Sequence, residues 1–530
     1  MSVQREKNSV ARTVAVVGAG AAGCMAALTA AEAGARVLLF DRNDRIGKKI
    51  YATGNGRCNL TNSRMEPDCY YVGASCRNDL AGSFSCGQSA SVTGGAEALR
   101  RMAGFTNRDL LSFFARRGVY CHERDGYWYP RTDQAATVAA LFERELRSAG
   151  VELHLNEAVR EMERRGNGSF YQIVTEKGRY VADAVILATG GTVSKAFGCL
   201  GDGYRLAARL GHTVRAPHPA LTFLRCGDPL LKRAAGVRCD AAVTLRAGGR
   251  ALRTERGELQ ITEQGLSGIP VFQLSRLATE RLDAKCAAIE APVEVFIEIE
   301  IDFLPEWREN AAAENGAANR HISRRGAKGN GGKLGGKNGL ATDADSHGAW
   351  QRECARRMAQ TENVTLDLFF LGLVHRKALD YLLAREGLCA ENKSGKLLAE
   401  EAGRAKLRRV LERMRCLRLP VGGAISGDGE AGRRASAAHG NVSAGSGQAA
   451  RGRVFEGSAL SAYSAASFEK AQVTAGGVPL AEVDDTFQSR KSPNLYLTGE
   501  LLDVDGICGG YNLQWAFSGG AIAGRAAAEK

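Results

Sequence analysis

A chain of 530 residues with 44% hydrophobic residues is long enough for about two to four domains and buries a core without disulfide staples. Its fourteen cysteines are scattered, with no C-x-x-C pair and no Cys/His cluster at zinc spacing, and no apolar run reaches the about eighteen residues of a membrane span. A disulfide scaffold, a zinc protein and a spanning protein are therefore not expected, and the polar N-terminus reads as that of a cytoplasmic protein with reduced thiols. The net charge of +13 leaves a polyanionic partner open, although no basic patch is interleaved with aromatics.

The first element predicted is an apolar, β-branched strand over residues 13–17, followed by a G-x-G-x-x-G loop and a small-residue helix over 24–33. Gly18 permits the tight turn, Gly20 lets backbone approach a pyrophosphate, and Gly23 lets helix pack on strand. The helix N-terminus favours an anion through its free N–H groups and dipole. A second strand over 36–40 ends at Asp41, about 20 residues beyond the last glycine, where a carboxylate accepts from an adenosine ribose.

Residues 42–62 are rich in Gly, Asn, Thr and cations and read as a loop wrapping a phosphorylated ligand, with Arg42, Lys48, Thr53, Gly54 and Thr61 as candidate contacts. Amphipathic helices are expected over 105–117 and 137–149, with a turn and helix start in YWYP and the residues after it, 127–135. Strands follow over 151–155, 170–175 and 180–189, the last running into Thr189-Gly190-Gly191, a second place where backbone meets ligand. A further helix is expected over 204–210.

From about residue 213 the texture turns to β, with short strands over 241–245 and 258–261 and a period-2 strand over 293–301. Residues 350–419 are helical in pattern. Residues 310–348 and 422–458 carry almost no large apolar residues and are expected to be disordered insertions, since they cannot offset the entropy of ordering. The α/β texture then returns. A strand over 494–498 runs into Thr498-Gly499-Glu500, with Asp503, Gly509 and Gly510 following and a helix over 513–528.

The motifs GAGAAG, ATGNGRCNLTN, ATGG, GDGY, the GLSG of 265–268, the TAGGV of 474–478 and TGELLDVDGICGGYNLQWAFSGG resemble those of the bacterial BaiN/RdsA-like flavoproteins, a family of aminoacetone-oxidase-like NAD(P)/FAD-dependent oxidoreductases. The resemblance covers all but the two low-complexity stretches. It implies an α/β fold in which both chain ends, 1–212 and 477–530, build a Rossmann-like, glutathione-reductase-like FAD domain. A β-barrel-like domain over 213–305 and 459–476 and a helical domain over 350–421 interrupt it. Carried over by position, Gly18, Gly20 and Gly23 hold the FAD pyrophosphate, and Asp41, where most relatives carry Glu, holds the ribose. Arg57, Cys58, Asn59, Thr189, Gly190 and Gly191 lie near the flavin. Gly499, Glu500 and Asp503 serve the ribityl-phosphate region, and Gly509, Gly510, Tyr511 and Asn512 lie beside the ring.

No second strand–GxGxxG–helix unit exists, so NAD(P)H is expected to dock only transiently as reductant. Cys58 and Tyr511 are candidate catalytic groups, each set against a plain packing role, and no metal is expected. His122, His212 and His218 read as structural. The resemblance implies reduction of a conjugated C=C bond in a steroid-like enone or in a uracil of ribosomal RNA. The alternatives are an oxygen-dependent amine oxidase and a non-catalytic, flavin-carrying RNA-binding protein.

Overall fold

The computed structural model describes residues 11–73, 88–166, 168–287, 297–305, 343–421 and 469–529. The chain forms two compact units, one from Met1–Thr222, Ser275–Ala284 and Val442–Lys530, the other from Phe223–Leu274 and Lys285–Asn441.

The first unit is built on a five-stranded parallel sheet. Its order is Leu495–Leu497, Ala184–Leu187, Thr13–Val17, Arg36–Phe40 and Glu152–His154, so the C-terminal strand lies beside strands from the first half of the chain. The run Val14 to Val17 is at most 5% exposed, and Ala184 to Leu187 are fully buried. Near-continuous apolar runs are what a parallel sheet covered on both faces requires.

One face is covered by two helices of small residues, Ala21–Glu32 and Tyr511–Ala528. A β-carbon on Gly520 would collide with Ala22 O, and one on Gly524 with Ala26 O and Thr29 Oγ1. The helices approach so closely because they are poor in bulk there. Helix Asn107–Arg116 starts at a capping box in which Thr106 and Asp109 satisfy each other's backbone N–H groups. Its Phe113 and Phe114 pack with Phe142 and Phe517.

Two sequence readings are corrected at this point. The 180–189 strand is two strands, Arg179–Ala182 and Ala184–Leu187, belonging to different sheets. Between them Asp183 is exposed and caps the first strand by accepting from Thr13 N at 2.8 Å. YWYP is not a turn but the strand Tyr127–Pro130, paired with Cys121–Arg124 and with Thr61–Asn62. Asp125 and Gly126, both in left-handed backbone, make the hairpin turn that precedes it.

The second unit contains a six-stranded antiparallel sheet in the order Leu224–Arg225, Gly265–Gly268, Arg250–Thr262, Arg238–Ala247, Ile297–Asp302 and Leu417–Pro420. A bridge between Cys226 and Val421 joins its two outer edges, which gives it barrel-like closure. Ile297, Ile299 and Ile301 point inward, while Glu298 and Glu300 are partly exposed. The expected helical run to residue 419 stops early. Helix Glu401–Arg415 ends at Cys416, whose φ of −147° is extended, and Leu417–Pro420 is an edge strand, where proline's missing N–H is tolerated.

The expected disordered stretches, 310–348 and 422–458, lie outside the described residues except for residues 343–348, which belong to helix Asp343–Met358, and 421 is the last residue described before the second stretch. Among the described residues no helix is long and apolar enough to cross a membrane.

Candidate functional site

Four parallel strands end level with one another. Val17 lies opposite both Leu187 and Phe40, and Leu187 opposite Leu497. The next residues are Gly18, Ala188-Thr189-Gly190-Gly191, Asp41 and Thr498-Gly499-Glu500, so four motifs scattered through the sequence meet at one sheet edge. In open parallel sheets the ligand crevice lies outside these carboxyl ends.

The glycine loop is shaped by contact. Gly18 has φ +101°, and a β-carbon there would lie 2.5 Å from Ala188 O. A β-carbon on Gly23 would strike Gly18 O. Gly20 differs: its φ is −79°, and nothing stands within 4 Å of where its β-carbon would be. Its missing side chain is not needed for packing, and leaves the backbone open to a ligand. The first intrahelical bond runs from Cys24 N to Gly20 O at 2.9 Å, so the N–H groups of Ala21 to Gly23 have no intrahelical acceptor.

Asp41 Oδ2 accepts from Ala19 N at 2.7 Å, and Oδ1 accepts from Asn43 N at 2.8 Å and Asn43 Nδ2 at 2.9 Å. A carboxylate has about four lone-pair sites, so one remains for a hydroxyl. Burial lifts the Asp41 carboxyl above its ordinary range against the pull of these donors.

Glu500 is held at two points. Its Oε2 accepts from Lys49 Nζ and its Oε1 from Thr474 N, both at 2.7 Å. Thr474 Oγ1 in turn accepts from Thr192 N at 2.9 Å, and a β-carbon on Gly191 would overlap it. Burial pushes the Lys49 ammonium down, but the Glu500 carboxylate more than offsets it, leaving Lys49 above its ordinary value. Lys49 is therefore a charge that the sequence reading missed by one position. Lys48 lies 3.6 Å from Asp44, and Arg42 pairs with Asp202. Asp503 is 1% exposed and accepts from Gly476 N at 3.1 Å and Arg215 Nη1 at 2.7 Å. The hydroxyls of Thr61, Thr189 and Thr192 are buried without a partner among the described residues.

A second cradle forms where residues 53–62 meet 506–512. Gly54, Asn55 and Cys58 all have left-handed backbone, which tightens this loop, and Thr53 Oγ1 donates to Ile50 O at 2.6 Å. Arg57 is exposed. The Asn59 amide accepts from Gly510 N at 3.2 Å and donates to Thr61 O at 3.1 Å. Asn62 Nδ2 donates to Gly509 O at 3.1 Å. Gly510, at φ +91°, could carry no β-carbon, since Thr61 O would lie 2.7 Å from it. Asn512 exchanges hydrogen bonds with both backbone groups of Gly506.

Cys58 is fully buried, and burial pushes its thiol up to about 12, so it is protonated at neutral pH. Tyr511 is 3% exposed, edge-on to Tyr70, and burial raises its phenol further above the ordinary value. Cys58 is a free thiol.

The three histidines do have carboxylate neighbours, supplied by the fold rather than by spacing. His122 Nε2 lies 3.2 Å from Asp133, His212 Nδ1 2.7 Å from Glu482 and His218 Nε2 3.6 Å from Glu280. Among the described residues no grouping of His, Cys, Asp and Glu is suited to hold a metal ion. Behind the second cradle Arg276, 1% exposed, donates through Nε to both Asp505 oxygens at 2.8 and 2.9 Å, through Nη1 to Glu280 at 2.6 Å and through Nη2 to Gly73 O at 2.8 Å.

A family model described as the HI0933-like protein Rossmann domain matches residues 12–526. The chain belongs to the HI0933-like family. This HI0933-like protein is 33% identical over 521 residues to the 3-dehydro-bile acid delta(4,6)-reductase of Clostridium scindens, a match covering 98% of the chain and 99% of the relative. It is 25% identical over 508 residues to the ribosomal RNA dihydrouridine synthase of Escherichia coli, covering 95% and 94%. Among solved structures it is similar to a 3-ketosteroid-delta4-(5alpha)-dehydrogenase from Rhodococcus jostii. That match has 13% identity, a TM-score of 0.40, and covers 100% of this chain and 99% of the other.

Proposed function

We propose that this HI0933-like protein is an FAD-dependent oxidoreductase that uses NAD(P)H to reduce a C=C bond conjugated to a carbonyl, with a steroid-like enone as substrate. The observation that carries the cofactor reading is the meeting of four strand ends beside Gly20, where among the described residues nothing lies within 4 Å of the place a β-carbon would take. The residues present fit FAD. Gly18, Gly20, Gly23 and the free N–H groups of helix Ala21–Glu32 hold its pyrophosphate, and the unspent lone pair of Asp41 takes a ribose hydroxyl. Lys49, Glu500 and Thr474 form a charged, hydrogen-bonded wall for the ribityl-phosphate region. Asn59, Thr61 and the Gly509–Gly510 backbone flank the ring. Bound FAD supplies hydride chemistry, and the chain supplies position, exclusion of water and protons.

The reductase reading rests on the end-to-end match to a relative named as a delta(4,6)-reductase. A uracil in ribosomal RNA is the second reading, favoured by the relative named as a dihydrouridine synthase and by the net charge of +13. Both substrates present a carbonyl-conjugated C=C bond, so one site chemistry serves either.

The test is product analysis. Holoenzyme with NADH or NADPH is expected to convert a 3-keto-4-ene steroid to a product that has gained two hydrogens. Steroid left intact beside RNA enriched in dihydrouridine would move the assignment to the second reading. An aldehyde and peroxide formed from a small amine would establish the oxidase, and no turnover with any donor would favour a flavin-carrying binding protein.

A further inference from the structure

We propose that the Tyr127 hydroxyl is the proton donor to the substrate carbon, on an aromatic wall that it forms with Tyr129. The proposal rests on the reductase reading. Strand Tyr127–Pro130 alternates, so Tyr127 and Tyr129 share one face and Trp128 the other. Trp128 is spent on structure, since its Nε1 donates to Ser63 Oγ at 2.8 Å and its carbonyl accepts from Leu60 N at 2.8 Å. The opposite face meets both halves of the second cradle. A β-carbon on Gly509 would lie 3.0 Å from Tyr127 Cε1, and one on Gly54 would lie 3.7 Å from Tyr129 Cε1. The register holds this arrangement, because Tyr127 pairs with Asn62, whose amide is bound to Gly509 O.

Two other tyrosines around this site have spent hydroxyls: Tyr70 donates to Tyr511 O at 3.2 Å and Tyr204 to Glu500 O at 3.3 Å. Among the described residues the hydroxyls of Tyr127 and Tyr129 have no hydrogen-bond partner, and both side chains are partly exposed. Cys58 and Tyr511, by contrast, are closed off from solvent. Tyr511 stands at the same distance from that point above Gly509, but its side chain is paired with Cys69, so among the described residues it is Tyr127 that combines an unspent O–H with a place beside Gly509.

With FAD bound, NAD(P)H would supply the hydride that forms a C–H bond at the β-carbon of the enone, and the π electrons would move to the α-carbon. There the Tyr127 O–H bond breaks and its proton forms the second C–H bond. The C=C bond is thereby reduced, and the phenolate regains a proton from water.

Tyr127→Phe in the full holoenzyme tests this, because it keeps the ring and removes only the O–H. Flavin content and the rate of flavin reduction by NAD(P)H are expected to stay at wild-type values. Anaerobic reoxidation by a 3-keto-4-ene steroid is expected to slow about 10²-fold or more, and to lose the decline at high pH that the wild type shows as the phenol ionises. Tyr127→Phe enzyme reoxidised at the wild-type rate would overturn the proposal and leave the reductase reading standing. Loss of FAD from Tyr127→Phe would overturn it too, by making the hydroxyl structural. Wild-type enzyme that is reduced but not reoxidised by steroid or uridine-containing RNA would overturn the reductase reading and, with it, this one.

Discussion

Lys49 Nζ donates to Glu500 Oε2 at 2.7 Å, tying the loop after the second strand to the turn after the last strand of the sheet across 451 residues of chain. Neither side chain is more than a quarter exposed. Lys49→Met leaves Glu500 with only the Thr474 N–H, and the loss of one partner from a part-buried charge costs about 1–3 kcal/mol. The expected result is a lower melting temperature for the apoprotein and weaker FAD binding, read by fluorescence titration. Lys48→Met, on a residue near only Asp44, is expected to change neither, and equal effects from both would remove Lys49 from the site.

The three glycines of the first loop fail differently. Gly20→Val is expected to fold with near-native circular dichroism and purify without flavin, since a β-carbon there meets no atom of the described residues within 4 Å but occupies the approach to the helix N-terminus. Gly18→Val puts a β-carbon against Ala188 O at a φ of +101° and is expected to lower stability itself. A yellow, fully loaded Gly20→Val protein would contradict the placement of the pyrophosphate.

Arg276 is buried with two carboxylates, and burial pushes Asp505 up to about 6 even with Arg276 beside it. Arg276→Met is expected to cost about 3–5 kcal/mol, because it removes the buried guanidinium that Asp505 and Glu280 share. A carboxyl whose folded pKa is raised takes up a proton on folding, so that penalty shrinks as pH falls. Adding Asp505→Asn is expected to recover part of the loss, which a double-mutant cycle in urea would measure.

Acid sensitivity has a local source. His212 donates or accepts at both ring nitrogens, to Glu482 at 2.7 Å and Ser489 at 2.8 Å, and burial holds its pKa below the ordinary value. Glu482 is lowered to about 2: burial opposes that shift, and Lys491, Thr213 and His212 outweigh it. In each case the unfolded chain binds the proton more readily, so stability is lost as pH falls: for His212 below about 6.5, for Glu482 below about 4.3. Glu482→Gln is expected to be less stable at pH 7 and to show a shallower loss from pH 4 downward. An unchanged acid-unfolding profile would remove this pair from the account.

The sheet and its glycine turns were legible because local rules wrote them: an apolar run, a glycine where the turn needs φ +101°, and an acid at the next strand end. The cradle around Gly509 and Gly510 was legible only as a resemblance, since its walls come from Asn59, Thr61 and Asn62 far away in the chain. Lys49 was missed in favour of Lys48 because a loop has no periodicity to say which of two adjacent cations faces inward. Tyr127 and Tyr129 were hidden by Pro130, which suggested a turn, whereas here it closes a strand. Arg276 gave no local signal at all; its main carboxylate partner lies 229 residues further on.

Anaerobic stopped-flow absorbance of the bound flavin tests the central claim most directly. The holoenzyme is mixed with NADH or NADPH, then with a 3-keto-4-ene steroid or with oxygen. The expected record is rapid bleaching by one of the two nicotinamides, return of the oxidised band on mixing with the enone, and slower return with oxygen. A flavin that neither nicotinamide bleaches, or one that oxygen restores faster than any enone or uridine-containing RNA, would contradict it.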